Sequence, residues 1–182
     1  NYNKTVLFDA VEGGNVNIVK EVINNIEDIN LTDENNQTVL YNSVLKENTE
    51  VAETLILNGI DINHRDIHGQ NILFNAILLG EQNIDLIKLL IKKDINLNDV
   101  DKKNKTVLDE ILHILDLQKV KKKDFEGKYI LVKDDRTYLG IVTLLIENGL
   151  LIDKFDDEGN TTLSKEIDKK NYKHMQFLID SG

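Results

Sequence analysis

Four histidines, a lysine cluster and scattered carboxylates are the residues here whose types could do chemistry. His64 and His68 stand four apart, a spacing that on a helix lets two imidazoles share one metal ion. They fall in a polar connecting segment instead, and no third ligand accompanies them, so both are expected to be turn residues. His64-Arg65-Asp66 has the residue order of a phosphotransfer catalytic loop. No Gly-rich loop or Asp-Phe-Gly accompanies it, and the match is set aside. His113 has no Ser and Asp placed to complete a triad, so a surface or contact histidine is expected. The acidic residues make no calcium loop and the glycines no phosphate loop. With no cysteine, thiol catalysis, zinc–thiolate sites and disulfides are excluded. No catalytic residue, no metal and no cofactor are therefore expected, and the chain reads as a non-enzyme.

Charge narrows the partner class. The 182 residues carry a formal net charge of −10, whereas phosphate contacts need a surplus of Lys and Arg, so no nucleic acid is expected. An acidic chain fits a basic partner instead. With 41% hydrophobic and 30% charged residues the chain is globular rather than disordered, and no apolar run approaches the roughly 20 residues of a membrane helix. Behind Asn1-Tyr2-Asn3-Lys4 there is no apolar signal core. No membrane insertion and a cytoplasmic monomer are the expectation, with a secreted or host-delivered chain as the alternative.

What must position any site is a repeat. Thr-Val-Leu occurs at Thr5-Val6-Leu7, Thr38-Val39-Leu40 and Thr106-Val107-Leu108, with looser copies at Asn71-Ile72-Leu73 and Thr161-Thr162-Leu163. The unit is 33 residues, with a two-residue insertion in the third copy and a longer one, about 116–136, in the fourth. Two positions after each anchor stand Leu7, Leu40, Leu73, Leu108 and Leu163; six after stand Val11, Val44, Ile77, Leu112 and Ile167. That spacing marks one face of a helix. A second apolar set (Val19, Val22 and Ile23 in the first copy, Ala52, Leu55 and Ile56 in the second) marks another helix. It recurs as Ile87, Leu90 and Ile91, as Val142, Leu145 and Ile146, and as Met175, Leu178 and Ile179. Between units lie connectors that open with Asp33, Asp66, Asp101 or Asp156 and close with Asn36, Gly69, Asn104 or Gly159. The Asp is expected to bond turn N–H groups, and Asn or Gly to take a left-handed backbone. Asn-x-Thr sequons at Asn3, Asn30, Asn36, Asn104 and Asn160 arise mostly because Asn precedes the anchor Thr by two. Helix pairs this short cannot bury their own faces, so they must stack.

Ala10-Val11-Glu12-Gly13-Gly14, Asn58-Gly59-Ile60-Asp61-Ile62-Asn63 and Glu147-Asn148-Gly149-Leu150-Leu151-Ile152-Asp153, with the anchors and Asp-led connectors, resemble the ankyrin repeat. The resemblance covers essentially all 182 residues. It implies an all-α, ankyrin-repeat solenoid of stacked antiparallel helix pairs with hairpin-like loops. One domain, 1–182, would hold about five repeats starting near 5, 38, 71, 106 and 161. Each anchor is expected to begin a helix pair. The family's Pro is replaced by Val6, Val39, Ile72, Val107 and Thr162, and its His by Phe8, Tyr41, Phe74, Asp109 and Ser164. Apolar packing of Phe8, Tyr41 and Phe74 is expected in place of the family's Thr–His bonding. Stability should be lower than in a consensus array, with the ends fraying first. The sequence stops where the register would place another connector, which leaves room for a longer array.

By the same resemblance, connector tips and first-helix ends line a face that binds another protein. Tips are Thr32, Glu34, Asn35 and Gln37; Arg65, Ile67, His68 and Gln70; Val100, Lys102, Lys103 and Lys105; Phe155, Asp157, Glu158 and Asn160. First-helix ends are Glu12, Leu45, Lys46, Leu78, Leu79, His113, Ile114 and Asp168. Partner contact is expected at Glu12, Glu34, Asn35, Gln37, Leu45, Lys46, Arg65, His68 and Gln70, and at Leu78, Leu79, Lys103, Lys105, His113, Ile114, Asp157 and Asn160. If exposed, Leu45, Leu78, Leu79 and Ile114 form an apolar line suited to an interface core. In the fourth-copy insertion, Lys119, Lys121, Lys122 and Lys123 are expected to be a solvated loop, and Phe125 to Val132 a short strand or arm. The expected function is non-catalytic protein binding. The alternatives are an inhibitor or immunity protein that occludes a basic toxin or enzyme, and a structural segment of a longer protein.

Overall fold

The computed structural model describes residues 2–117, 122–123, 129–130, 135–156 and 158–181. They belong to two compact units, residues 1–96 and 97–182.

The first unit holds three helix pairs: α1 (Tyr2–Gly13) with α2 (Val16–Asn24), α3 (Val39–Leu45) with α4 (Thr49–Leu57), and α5 (Ile72–Leu78) with α6 (Ile84–Lys92). First helices pack on first helices, α1 on α3 on α5, and second helices on second, α2 on α4 on α6. The columns read from sequence are the core. Leu7, Leu40, Leu73, Val11, Val44 and Ile77 are all buried, as are Val19, Ala52, Leu55, Ile87 and Leu90. Helices this short are marginal alone, so these side chains hold them, at about 1.5–3 kcal/mol for each large one. Stacking is what seals each face. Val39, Val51 and Leu55 are 0% exposed between pairs, whereas their counterparts in the first pair, Val6, Ile18 and Val22, are partly or largely open.

The connectors behave as their residue types require. Asp33 Oδ1 accepts from the N–H groups of Asn35 and Gln37, and Asp66 Oδ1 from those of His68 and Gln70. Asp101 does the same for Lys103 and Lys105, and Asp156 for Glu158 and Asn160. Asn36, Gly69, Asn104 and Gly159 take φ of 54°, 80°, 58° and 80°. Thr38, Asn71 and Thr161 then stand as N-caps of α3, α5 and α9, and Thr106 immediately precedes α7. The first anchor departs from expectation: α1 begins at Tyr2, so Thr5 lies inside the helix.

A second reversal, nine residues after four of the five anchors, is left-handed too. It falls on Gly14 (φ 68°), Glu47 (φ 56°), Gly80 (φ 60°) and Lys170 (φ 54°). Gly suits such a backbone and a Cβ does not. At Gly14 a Cβ would also come within 2.9 Å of Asn48 Nδ2. Glu47 is exposed and its side chain has no described partner to lose. Glu47→Gly should therefore stabilise the chain by about 1 kcal/mol, seen as a higher urea midpoint. An unchanged or lower midpoint would show that Glu47 carries no strain. The two-residue insertion of the third copy is absorbed just beyond this reversal, as a 3-10 turn over Gly80–Asn83.

The second unit holds α7 (Val107–Leu117), α8 (Asp135–Glu147), α9 (Thr162–Asp168) and α10 (Tyr172–Ser181). α8 packs on α7 and on α10, and α9 on α10. Leu108, Ile111, Leu112, Ile141, Val142, Leu145 and Leu178 form the core. Ile167 and Ile179, expected in the apolar columns, are 49% and 59% exposed because no described helix covers them. Within the insertion, β1 (Lys122–Lys123) pairs antiparallel with β2 (Tyr129–Ile130). Lys119 and Lys121, and the arm residues Phe125, Glu126, Gly127, Lys128, Leu131 and Val132, lie outside the described residues. The all-α class holds, with this two-residue ladder as its one sheet among the described residues.

Asparagines tie each of the first three repeats to the next. Asn30 Oδ1 accepts from Asp61 N–H and Asn63 Oδ1 from Asn96 N–H, both at 2.7 Å. In the second unit Asn98 Oδ1 accepts from Leu151 N–H at 2.7 Å. Each closes the Asp-Ile-Asn or Asn-Leu-Asn segment that ends its repeat. An amide oxygen facing a backbone donor needs no charge and is insensitive to pH and salt.

Candidate interaction surface

The expected contact residues divide between the two units, and each unit is a surface of its own. In the first, Leu45 and Leu78 occupy the same column, seven after their anchors, and are 55% and 47% exposed. Glu12 precedes them in that column, and its carboxylate pairs with Lys46 Nζ at 2.5 Å. Each side chain there is 55–56% exposed, so the pair contributes little stability and leaves both charges accessible. Leu79 is half-buried. The apolar line in this unit is thus Leu45 and Leu78, with Glu12 and Lys46 beside it.

The connector tips are more committed than expected. Gln37 Nε2 donates to Asp66 Oδ2 at 3.3 Å, Asn35 O accepts from Ile67 N–H at 2.9 Å, and Arg65 Nε donates to Gly69 O at 2.8 Å. Asn36 Nδ2 reaches Arg65 O at 2.7 Å. These bonds brace neighbouring connectors, so Asn35, Gln37 and Arg65 contribute rigidity as well as surface. Glu34 and His68 are exposed, and Gln70 is half-buried. His64, considered above for a metal, points its Nε2 at Asn36 O, 2.8 Å away. No group of three or more metal-ligating side chains occurs among the described residues.

Tyr41 corrects an expectation. It is 1% exposed, as apolar packing predicts, but its hydroxyl lies 2.6 Å from Gln70 O and 2.9 Å from His64 O. One O–H donates to one carbonyl at a time, and either bond braces the next connector. Phe74 is buried and Phe8 half-buried. With no His at the family position, Thr38 Oγ1 is left buried without a partner. Two other replacements restore polar bonding locally. Asp109 Oδ2 accepts from Thr106 N–H and Oγ1–H, and Ser164 closes a capping box with Thr161.

In the second unit Lys103, Lys105 and His113, drawn from a connector and a first helix, meet around one cleft of 280 Å³ with residues of α9. Lys165 lies within it, 3.1 Å from Asp156 Oδ2 and 3.6 Å from Asp109 Oδ2. Backbone bonding, first from Asn160 N–H, holds the Asp156 carboxyl below its usual range, with Lys165 adding to the effect against burial. Burial opposes the Lys165 charge, yet Asp156 and Asp109 outweigh it and raise its pKa. Asn160 is half-buried and Asp157 lies outside the described residues.

Ile114 is a second correction. It is 8% exposed and belongs to the core, not to an apolar line. α3 and α5 stop at Leu45 and Leu78, seven after their anchors, whereas α7 runs on to Leu117. Ile114 therefore sits within a continuing helix, one turn after Ile111 on the buried side.

Stacked short helix pairs, braced through backbone-capturing connectors, define a helical repeat protein. Residues 1–66 match the ankyrin-repeat family, as three copies. Ankyrin repeats bind other proteins and are typically non-catalytic. No curated protein matches the chain. No helix among the described residues is long and apolar enough to cross a membrane.

Proposed function

We propose that this chain is a non-catalytic protein-interaction module, and that the ends of its first helices are where the partner sits. One observation carries the reading: Leu45 and Leu78 repeat at one register position and remain about half exposed, although the columns around them are sealed. Apolar side chains on a rigid repeat, bordered by the Glu12–Lys46 pair, have the make-up of an interface core with a charged rim. The braced connectors keep that face preformed, which lowers the ordering cost of binding. A net charge of −10 supports a second, finer reading, in which the partner is a basic enzyme or toxin that the module occludes.

The test is affinity capture from the source lysate with wild type beside Leu45→Ser/Leu78→Ser. Both positions are exposed, so the variant should keep the wild-type circular dichroism. A partner held by wild type and lost by the variant is the expected result. Equal capture by both would move the interface off this face. A variant that does not fold would make these leucines core and overturn the reading.

A further inference from the structure

We propose that the cleft between the Lys103–Lys105 connector and α9 is a receptor for neighbouring carboxylates on an acidic segment of the partner protein. This rests on the interaction-module reading and adds a partner chemistry to it. On a chain of net charge −10, this cleft is lined by four lysines and only two carboxylates. Both carboxylates are already engaged. Asp109 accepts from Thr106 and faces Lys165. Glu166 is 3% exposed and holds His174 and Lys169. Lys165 and Lys169 are thereby neutralised within the fold. Lys103, exposed, and Lys105, half-buried, have no carboxylate partner among the described residues, and exposed His113 shares the cleft with them.

The connector presents these two cations from a fixed turn. The Lys103 and Lys105 N–H groups are both held by Asp101 Oδ1, at 2.7 and 2.9 Å, so little backbone freedom is lost on binding. A volume of 280 Å³ suits one or two side chains rather than a cofactor. Lys presents point charges that a carboxylate satisfies without forked geometry. The surrounding negative charge selects against long polyanions, which leaves a short acidic stretch as the matching occupant.

A fluorescein-labelled octaglutamate peptide is the probe, followed by anisotropy at low salt and by 15N amide shifts of the full chain. Wild type should bind it saturably, with shifts centred on residues 103–105 and 113, and an octaglutamine control should not bind. Lys103→Glu/Lys105→Glu should weaken binding about tenfold or more, and Lys103→Gln/Lys105→Gln by less. Both variants should keep the wild-type circular dichroism; the neutral pair serves as the arbiter if charge reversal disturbs the turn. Equal binding by the variants, shifts centred elsewhere, or no binding by wild type would overturn the proposal. Displacement of the peptide by equimolar inorganic phosphate would overturn it too, in favour of a simple anion site. The two readings fail separately. Loss of octaglutamate binding with Leu45- and Leu78-dependent capture intact removes only the cleft, and the reverse removes only the leucine face.

Discussion

Replacing Asp66 by Ala should destabilise the chain by about 3 kcal/mol, read as a lower urea midpoint at unchanged slope. Asp66 is 5% exposed, and the three hydrogen bonds it accepts are partly buried. Its Oδ1 accepts from His68 and Gln70 N–H, and its Oδ2 from Gln37 Nε2. Truncation leaves three donors facing a void, two of them backbone groups that have no other role in that turn. Hydrogen bonds to a charged acceptor are worth more than neutral ones, and a stranded buried donor adds its own desolvation cost. The same connector supplies the Gln70 carbonyl that receives the Tyr41 hydroxyl, so the loss spreads into the neighbouring repeat. Asp66→Asn keeps an oxygen in place and should cost only about 1 kcal/mol. Asp33 holds the equivalent N–H groups, those of Asn35 and Gln37, but is more open, so Asp33→Ala should cost less than Asp66→Ala. If Asp66→Ala unfolds at the wild-type midpoint, the connectors are held by stacking rather than by their aspartates.

The second large effect lies in the last helix pair. His174 Nδ1 is 2.7 Å from Glu166 Oε2, with side chains 5% and 4% exposed, and Lys169 Nζ meets the other carboxylate oxygen at 2.6 Å. A carboxylate only accepts, so in the tautomer that bonds Glu166 the Nδ1 proton faces Oε2; the Asn171 side-chain amide stands 2.7 Å from the same Nδ1. His174→Leu strips that donor and leaves half of a buried carboxylate unpaired, at an expected cost of about 3 kcal/mol. Glu166→Leu added to His174→Leu removes the stranded charge and should recover most of the loss, because a buried ion pair and an apolar pair of similar size are close in stability. The double-mutant cycle therefore decides between two roles. A coupling near zero, with both single variants mild, would mean that solvent reaches the pair.

Much of this fold was legible because its turns are chemically explicit. Asp at the head of each connector and Asn or Gly at its fourth place announce backbone capture and positive φ, and the structure realises both in all four. The second reversal was only partly legible, since Glu47 and Lys170 are good helix formers that do not announce a left-handed backbone. A period search would still have found it, because Gly14 and Gly80 share its register. Tyr41 was read by its ring and not its hydroxyl; a buried tyrosine near a connector nearly always seeks an acceptor. Ile114 was misplaced because register was carried across without the helix length, and α7 runs on to Leu117. The cleft joins residues some sixty positions apart in the chain, from Lys103 to Lys169, and no local pattern announces it.

The asparagine links have a consequence for how such an array changes over generations. Asn30, Asn63 and Asn98 each accept from a main-chain N–H, and the donating residues are Asp61, Asn96 and Leu151, whose side chains take no part in the bond. A fastener that grips only the backbone asks nothing of its neighbour's sequence. A copied or exchanged repeat would find a compatible docking point without any matching mutation in the unit beside it. Inheritance of the Asn alone suffices, and the exposed columns are left free to diverge.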